Sequence, residues 1–89
     1  MRRKHKLFYE VTDWSNHSGY YWWCHKQWTN DSNLSKKYGA SSNKDCRTFR
    51  QACRHAGKLT RLGRDALIVQ YMWRKGHRYC REYLFYAKK

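Results

Sequence analysis

The sequence predicts an α+β domain in which two antiparallel β-hairpins flank one amphipathic helix, in the order β-β-α-β-β. A four-stranded sheet then carries the helix on one face. Three observations predict it. Leu7 to Trp28 and Ala66 to Tyr86 are rich in aromatic and β-branched residues with strand-like alternation. Each of these stretches is broken by turn chemistry containing a glycine. Between them, apolar residues recur at helical spacing. A helix laid across one face of an antiparallel sheet is the layer arrangement that such an order favours.

Residues 1–6 form a basic leader, and residues 7–89 form one domain with a modest core, which is all that an 89-residue chain can build. Leu7 to Trp14 reads as the first strand, because Leu7, Tyr9 and Val11 alternate with Phe8, Glu10 and Thr12, leaving one wetter face. Ser15–Asn16–His17–Ser18–Gly19 is a turn, and Tyr20 to Trp28 returns as the paired second strand. Residues 29–44 are polar, anchored by Leu34, Tyr38 and Ala40, and long for a plain connection. They hold either a short helical turn after Asn33 or a functional loop.

Asp45 to Ala56 is the helix, with Ser42 as cap and Asp45 completing a capping-box pattern. Cys46, Phe49, Ala52, Cys53 and Ala56 gather on one side, Arg47, Arg50, Gln51 and Arg54 on the other, and Gly57 supplies the stop. Lys58 to Asp65 is a basic loop. Ala66 to Trp73 is the third strand, Arg74–Lys75–Gly76–His77 the turn, and Arg78 to Tyr86 the last strand.

Lys and Arg number 20 against 6 Asp and Glu, a formal net charge of +14. Solubility asks for about 2–8 charges in a small domain, so an acidic partner that relieves the repulsion is the simpler account. Residues 1–30 carry +3 and residues 31–89 carry +11, which places the binding surface in the second part. The candidate contacts are Arg47, Arg50, Arg54 and Lys58 on the helix stripe, with Arg61 and Arg64 in the loop after it. Arg74, Lys75 and Arg78 make a second cationic tip on the last hairpin. Guanidinium groups at three- and four-residue spacing form a row of bidentate phosphate donors. The run Tyr20–Tyr21–Trp22–Trp23 must place aromatics on both faces of a strand, so Trp22 and Trp23 are candidate stacking platforms for bases.

Several function classes are excluded by what the chain carries. No stretch nears the length of apolar chain that spans a bilayer, and the basic start is not followed by a signal-peptide apolar run, which predicts a cytoplasmic protein without membrane contact. Cys24, Cys46, Cys53 and Cys80 are expected as free, mostly buried thiols. Cys46 and Cys53, two turns apart on the helix, lie about 10 Å apart, beyond disulfide reach. Neither Cys-x-x-Cys nor His-x-x-x-His occurs, so no metal and no cofactor are expected. His55 beside Arg54 is the one pair that suggests acid–base chemistry. In that pair, in size and in charge, the chain resembles the small basic ribosome-dependent RNases of toxin–antitoxin systems. Their element order differs, however, and no motif matches residue by residue. The expectation is a non-enzymatic, monomeric or dimeric nucleic-acid-binding protein. The alternative is a phage- or virus-type accessory protein that docks on the acidic surface of a host nucleic-acid-processing enzyme and inhibits or redirects it, since interface hot spots favour Trp, Tyr and Arg.

Overall fold

The structure, a computed structural model, describes residues 7–15 and 20–87, the side chain of Arg74 excepted. The basic leader and the Asn16–Gly19 part of the first turn lie outside the described residues. In chain order the elements are β1 (Leu7–Asp13), β2 (Trp22–Cys24), β3 (Gln27–Thr29), α1 (Ser32–Tyr38), β4 (Asn43–Cys46), α2 (Phe49–Arg61), β5 (Ala66–Arg74) and β6 (His77–Phe85). The α+β class and the four-stranded antiparallel sheet agree with the sequence reading. The sheet runs β4-β1-β5-β6, and β2 pairs with β3 in a small sheet of its own.

The expected first hairpin does not form. β1 is a central strand, paired with β4 on one side and β5 on the other. Tyr9, Val11 and Asp13 are buried while Phe8, Glu10 and Thr12 are half-buried, so both faces of β1 are partly covered. Asp13 turns the chain off the sheet. Its carboxylate accepts the Ser15 and Tyr21 N–H groups at 3.1 and 2.8 Å, the Ser15 hydroxyl at 2.7 Å and the Arg64 guanidinium at 2.9 Å. The aromatic segment that follows then folds on itself at His25–Lys26, where φ is 50° and 66°. Two positive φ values match the tight turn that a two-residue hairpin needs. The His25 ring stacks on Tyr38 of α1 at 3.8 Å, which offsets the strain of a turn without glycine.

The helix lies further along the chain than its expected span. Asn43–Cys46 is an edge strand, with Cys46 opposite Tyr9 and Asp45 opposite Glu10. Cys46 stands three residues before Phe49, a spacing that extends a helical period back over a strand. The cap is Thr48, whose hydroxyl accepts the Gln51 N–H at 3.1 Å, while the Gln51 amide oxygen accepts the Arg47 N–H at 3.1 Å. Ser42 instead offers its carbonyl to the Thr12 hydroxyl. Gly57 is no stop, because Leu59, fully buried, continues the face begun by Ala52 and Ala56 and draws the helix one turn further. The stop is Gly63 at φ 79°, whose N–H reaches the Thr60 carbonyl at 3.0 Å.

A Cβ added at Gly57 would find its nearest neighbour, Arg61 Nη1, 4.0 Å away. Gly57→Ala is therefore expected to stabilise the protein by about 1 kcal/mol, by restricting the unfolded chain and favouring the helix. Urea denaturation should show a higher midpoint at unchanged slope. A lower midpoint would contradict a continuous helix through this position.

Residues 29–44 hold α1, capped by Asp31, which accepts the Asn33 N–H at 2.9 Å. The core lies between α2 and one face of the sheet, where Ala52, Ala56 and Leu59 meet Tyr9, Val11, Ala66 and Ile68. The Phe49 ring closes one end, 5.7 Å from Tyr9 and 4.8 Å from Tyr83. The small hairpin joins this core through Trp28, whose indole N–H donates to the His55 carbonyl at 3.1 Å. β5 and β6 form the expected hairpin, turning at Lys75–Gly76 with φ of 50° and 80°. All four cysteines are free thiols, with Cys46 on β4 rather than on the helix beside Cys53.

Candidate nucleic-acid interface

α2 contains no carboxylate, and its residue order sorts by size as well as by polarity. At about 100° per residue, Arg50, Arg54, Lys58 and Arg61 fall within an arc of about 80°, opposite the buried Ala52, Ala56 and Leu59. The two alanines let the helix lie close on the sheet. The outer arc is left to four exposed cations, whereas Arg47, expected in this stripe, precedes the cap and lines a hollow with Phe8, Asp45 and Tyr71 at the other face of the sheet. The helix terminates at Arg61, which brings this residue into the stripe instead of the loop expected for it.

The acids are elsewhere. Asp13, Asp31 and Asp65 are occupied by structural hydrogen bonds, the last accepting the Ala87 N–H at 3.1 Å. The other three form a row across the sheet, with Asp45 opposite Glu10, Glu10 opposite Val69 and Val69 opposite Glu82. By the alternation of strands, this row lies on the face away from Tyr9 and hence away from α2. The charges are unevenly placed: the α2 arc carries cations without a carboxylate, and the carboxylate row lies on the far side together with Arg47 and Arg78.

Comparison with protein-family models, with curated proteins and with solved structures finds no match.

The remaining expected contacts do not join the helix stripe. Arg64 is 8% exposed and forms an ion pair with the fully buried Asp13 at 2.9 Å, so it holds the fold together and is no surface contact. Lys75 is exposed at the hairpin turn. Arg78 lies over the Tyr71 ring at 4.4 Å, and Tyr71 stacks on Phe8 on the sheet face away from α2. Burial, followed by the Glu10 and Asp45 charges, raises the Tyr71 hydroxyl above its ordinary value and keeps it protonated. Arg74 is the last residue of β5, at the hairpin turn.

The aromatics are also redistributed. Trp23 is half-buried, edge-on to Trp28 at 5.3 Å and to His55 at 5.0 Å, with Lys44 Nζ 5.4 Å from its ring. Trp22 is half-buried too. The aromatics left most open in this part of the chain are Trp14 and Tyr20, at 53% and 60% exposed, which alternation along a single strand does not identify. Burial, then the charges of Lys58, Lys44 and Arg54, pushes His55 below its ordinary 6.5 and leaves it neutral at pH 7. Among the described residues no three His, Cys, Asp or Glu side chains stand together as metal ligands, and no helix is long and apolar enough to cross a membrane.

Proposed function

We propose that this protein binds nucleic acid through the phosphate backbone, with the outer arc of α2 laid along it. The observation that carries this reading is the charge segregation: Arg50, Arg54, Lys58 and Arg61 share one arc without a carboxylate, while Asp45, Glu10 and Glu82 occupy the opposite side of the molecule. A polyanion approaching α2 meets cations with no carboxylate among them, whereas on the far face the cations Arg47 and Arg78 stand among carboxylates. Residues four apart on a helix rise about 6 Å, so Arg50, Arg54 and Lys58 can each take a separate phosphate. The core behind them fixes the helix, so the guanidinium groups start from a preorganised backbone. Contacts of this kind position a protein on nucleic acid and carry no sequence information of their own.

The test is affinity as a function of salt. Four phosphates neutralised on duplex DNA give a slope of log K against log salt near about −3.6. Retained affinity with a flat salt response would overturn the reading. An accompanying pull-down from nuclease-treated lysate would then distinguish an acidic protein as the partner.

A further inference from the structure

Between the end of β1 and the start of β2 lies a cleft of about 380 Å³ whose walls include Trp14, Tyr20, Tyr21 and Trp22. The volume falls within the range of small-ligand sites, about 300–1,000 Å³. Its frame is held by the buried ion pair. Tyr21 donates its N–H to Asp13 at 2.8 Å, and the Arg64 guanidinium sits 5.0 Å from the Tyr21 ring centre. The Trp14 N–H is fixed on the Asp65 carbonyl at 2.9 Å. Trp14 is thus held by its own backbone and Tyr20 directly precedes the anchored Tyr21, while more than half of each residue remains open to solvent.

The polar groups of the cleft narrow what it can hold. The Asp13 carboxylate already accepts from Ser15, Tyr21 and Arg64, and the Thr12 hydroxyl already donates to the Ser42 carbonyl at 2.8 Å. Trp22 Nε1 differs from these, being buried with no hydrogen-bond partner among the described residues. It is closed to solvent, so Trp22 forms part of the cleft wall without presenting this N–H to the open space. The cleft therefore offers ring faces with neutral hydroxyl and indole donors from Trp14, Tyr20, Tyr21 and Ser42, and among the described residues no cation lines it for a phosphate or carboxylate. A flat, uncharged ring with an acceptor on its edge matches that set. A nucleobase has both, but in a duplex its faces are covered by its neighbours.

We infer that the cleft takes one unstacked nucleobase, with Trp14 and Tyr20 as stacking faces and Trp22 in the wall behind it. This assignment rests on nucleic acid being the ligand of α2, and it makes the preferred form single-stranded. The cationic arc holds the backbone while the cleft selects for unpaired bases.

Two measurements test it. Wild type, Trp14→Ala and Tyr20→Ala are titrated with a short oligothymidylate and with a DNA duplex of equal length, by fluorescence anisotropy at one salt concentration. Either substitution should weaken the single strand by about 5- to 150-fold, the range for a lost base stack, and leave duplex affinity unchanged. Equal losses on both, or no loss on either, would overturn the assignment. The second probe is uridine, which carries no phosphate and is blind to α2. The Trp22 indole N–H resonance, identified by its absence in Trp22→Phe, should shift as uridine is added, and an unmoved resonance would overturn the assignment. If uridine moves it while neither oligonucleotide binds wild type, the cleft stands and the α2 reading falls. If steeply salt-dependent duplex binding persists while both cleft tests fail, α2 stands and the cleft falls.

Discussion

Asp13→Ala should lower stability by about 3–5 kcal/mol, the loss expected when one partner of a buried ion pair is removed. A domain of this size has about 5–15 kcal/mol in total, so the variant should sit close to unfolding at room temperature. The physical reason is what remains behind. Arg64, 8% exposed, loses its carboxylate partner, and the Ser15 and Tyr21 N–H groups lose their acceptor. Asp13→Asn keeps one oxygen and the shape, and should lose less. Urea denaturation followed by tryptophan fluorescence reads both. A loss below about 1 kcal/mol for Asp13→Ala, the scale of an exposed pair, would show that the site is hydrated and the pair weak.

The same carboxylate sets the acid limit of the fold. Burial alone would raise Asp13, but the hydrogen bonds from Ser15, Tyr21 and Arg64, with the Arg64 charge, outweigh it and hold the group below its ordinary 3.8. A folded value lower than the unfolded one means that the stabilisation is present above 3.8 and is lost as pH falls through the folded value. His55 acts earlier with the same sign. Its folded value lies below 6.5, so the unfolded chain takes up this proton first and stability begins to fall below pH 6.5. Wild type should therefore lose stability in two stages on acidification, and Asp13→Asn should lack the lower one.

This ion pair also illustrates what a sequence hides. Arg64 sits in a basic run with Arg61 and looks like a surface cation, but its partner lies 51 residues earlier. The signal that points to it is the parity of β1. Tyr9, Val11 and Asp13 share a face, and a carboxylate at a core-facing position calls for a buried cation. The hairpin β5–β6 was legible because its strands are adjacent and Gly76 marks the turn. The pairing of β1 was not, since its neighbours β4 and β5 are distant in sequence and the nearer Tyr20 to Trp28 segment imitates a partner. That segment reverses at His25–Lys26, which carries no turn residue. The helix start was legible in principle, because Thr48 and Gln51 match the capping pattern better than Ser42 and Asp45. The stripe on α2 survives these shifts, because the spacing of Arg50, Arg54, Lys58 and Arg61 holds wherever the helix begins.

Arg50→Ala combined with Arg54→Ala should weaken duplex binding by about 30-fold at ~0.15 M salt, the effect of two lost phosphate contacts in the counterion-release description. The salt slope should fall to about −1.8, half the wild-type value expected above. Both residues are exposed on the outer arc, and alanine favours the helix more than arginine does, so stability should not drop. A charge-matched control removes two cations elsewhere, with Lys75→Ala and Arg78→Ala at the β5–β6 hairpin. Arg78 stands over Tyr71 on the sheet face that carries Glu10, Asp45 and Glu82, away from α2. The control lowers the net charge by the same amount, so a general electrostatic attraction would weaken both variants alike. Binding along α2 predicts a reduced slope for the helix variant and a nearly unchanged one for the control. Equal loss in the two, with circular dichroism unchanged, would remove α2 as the phosphate-binding element.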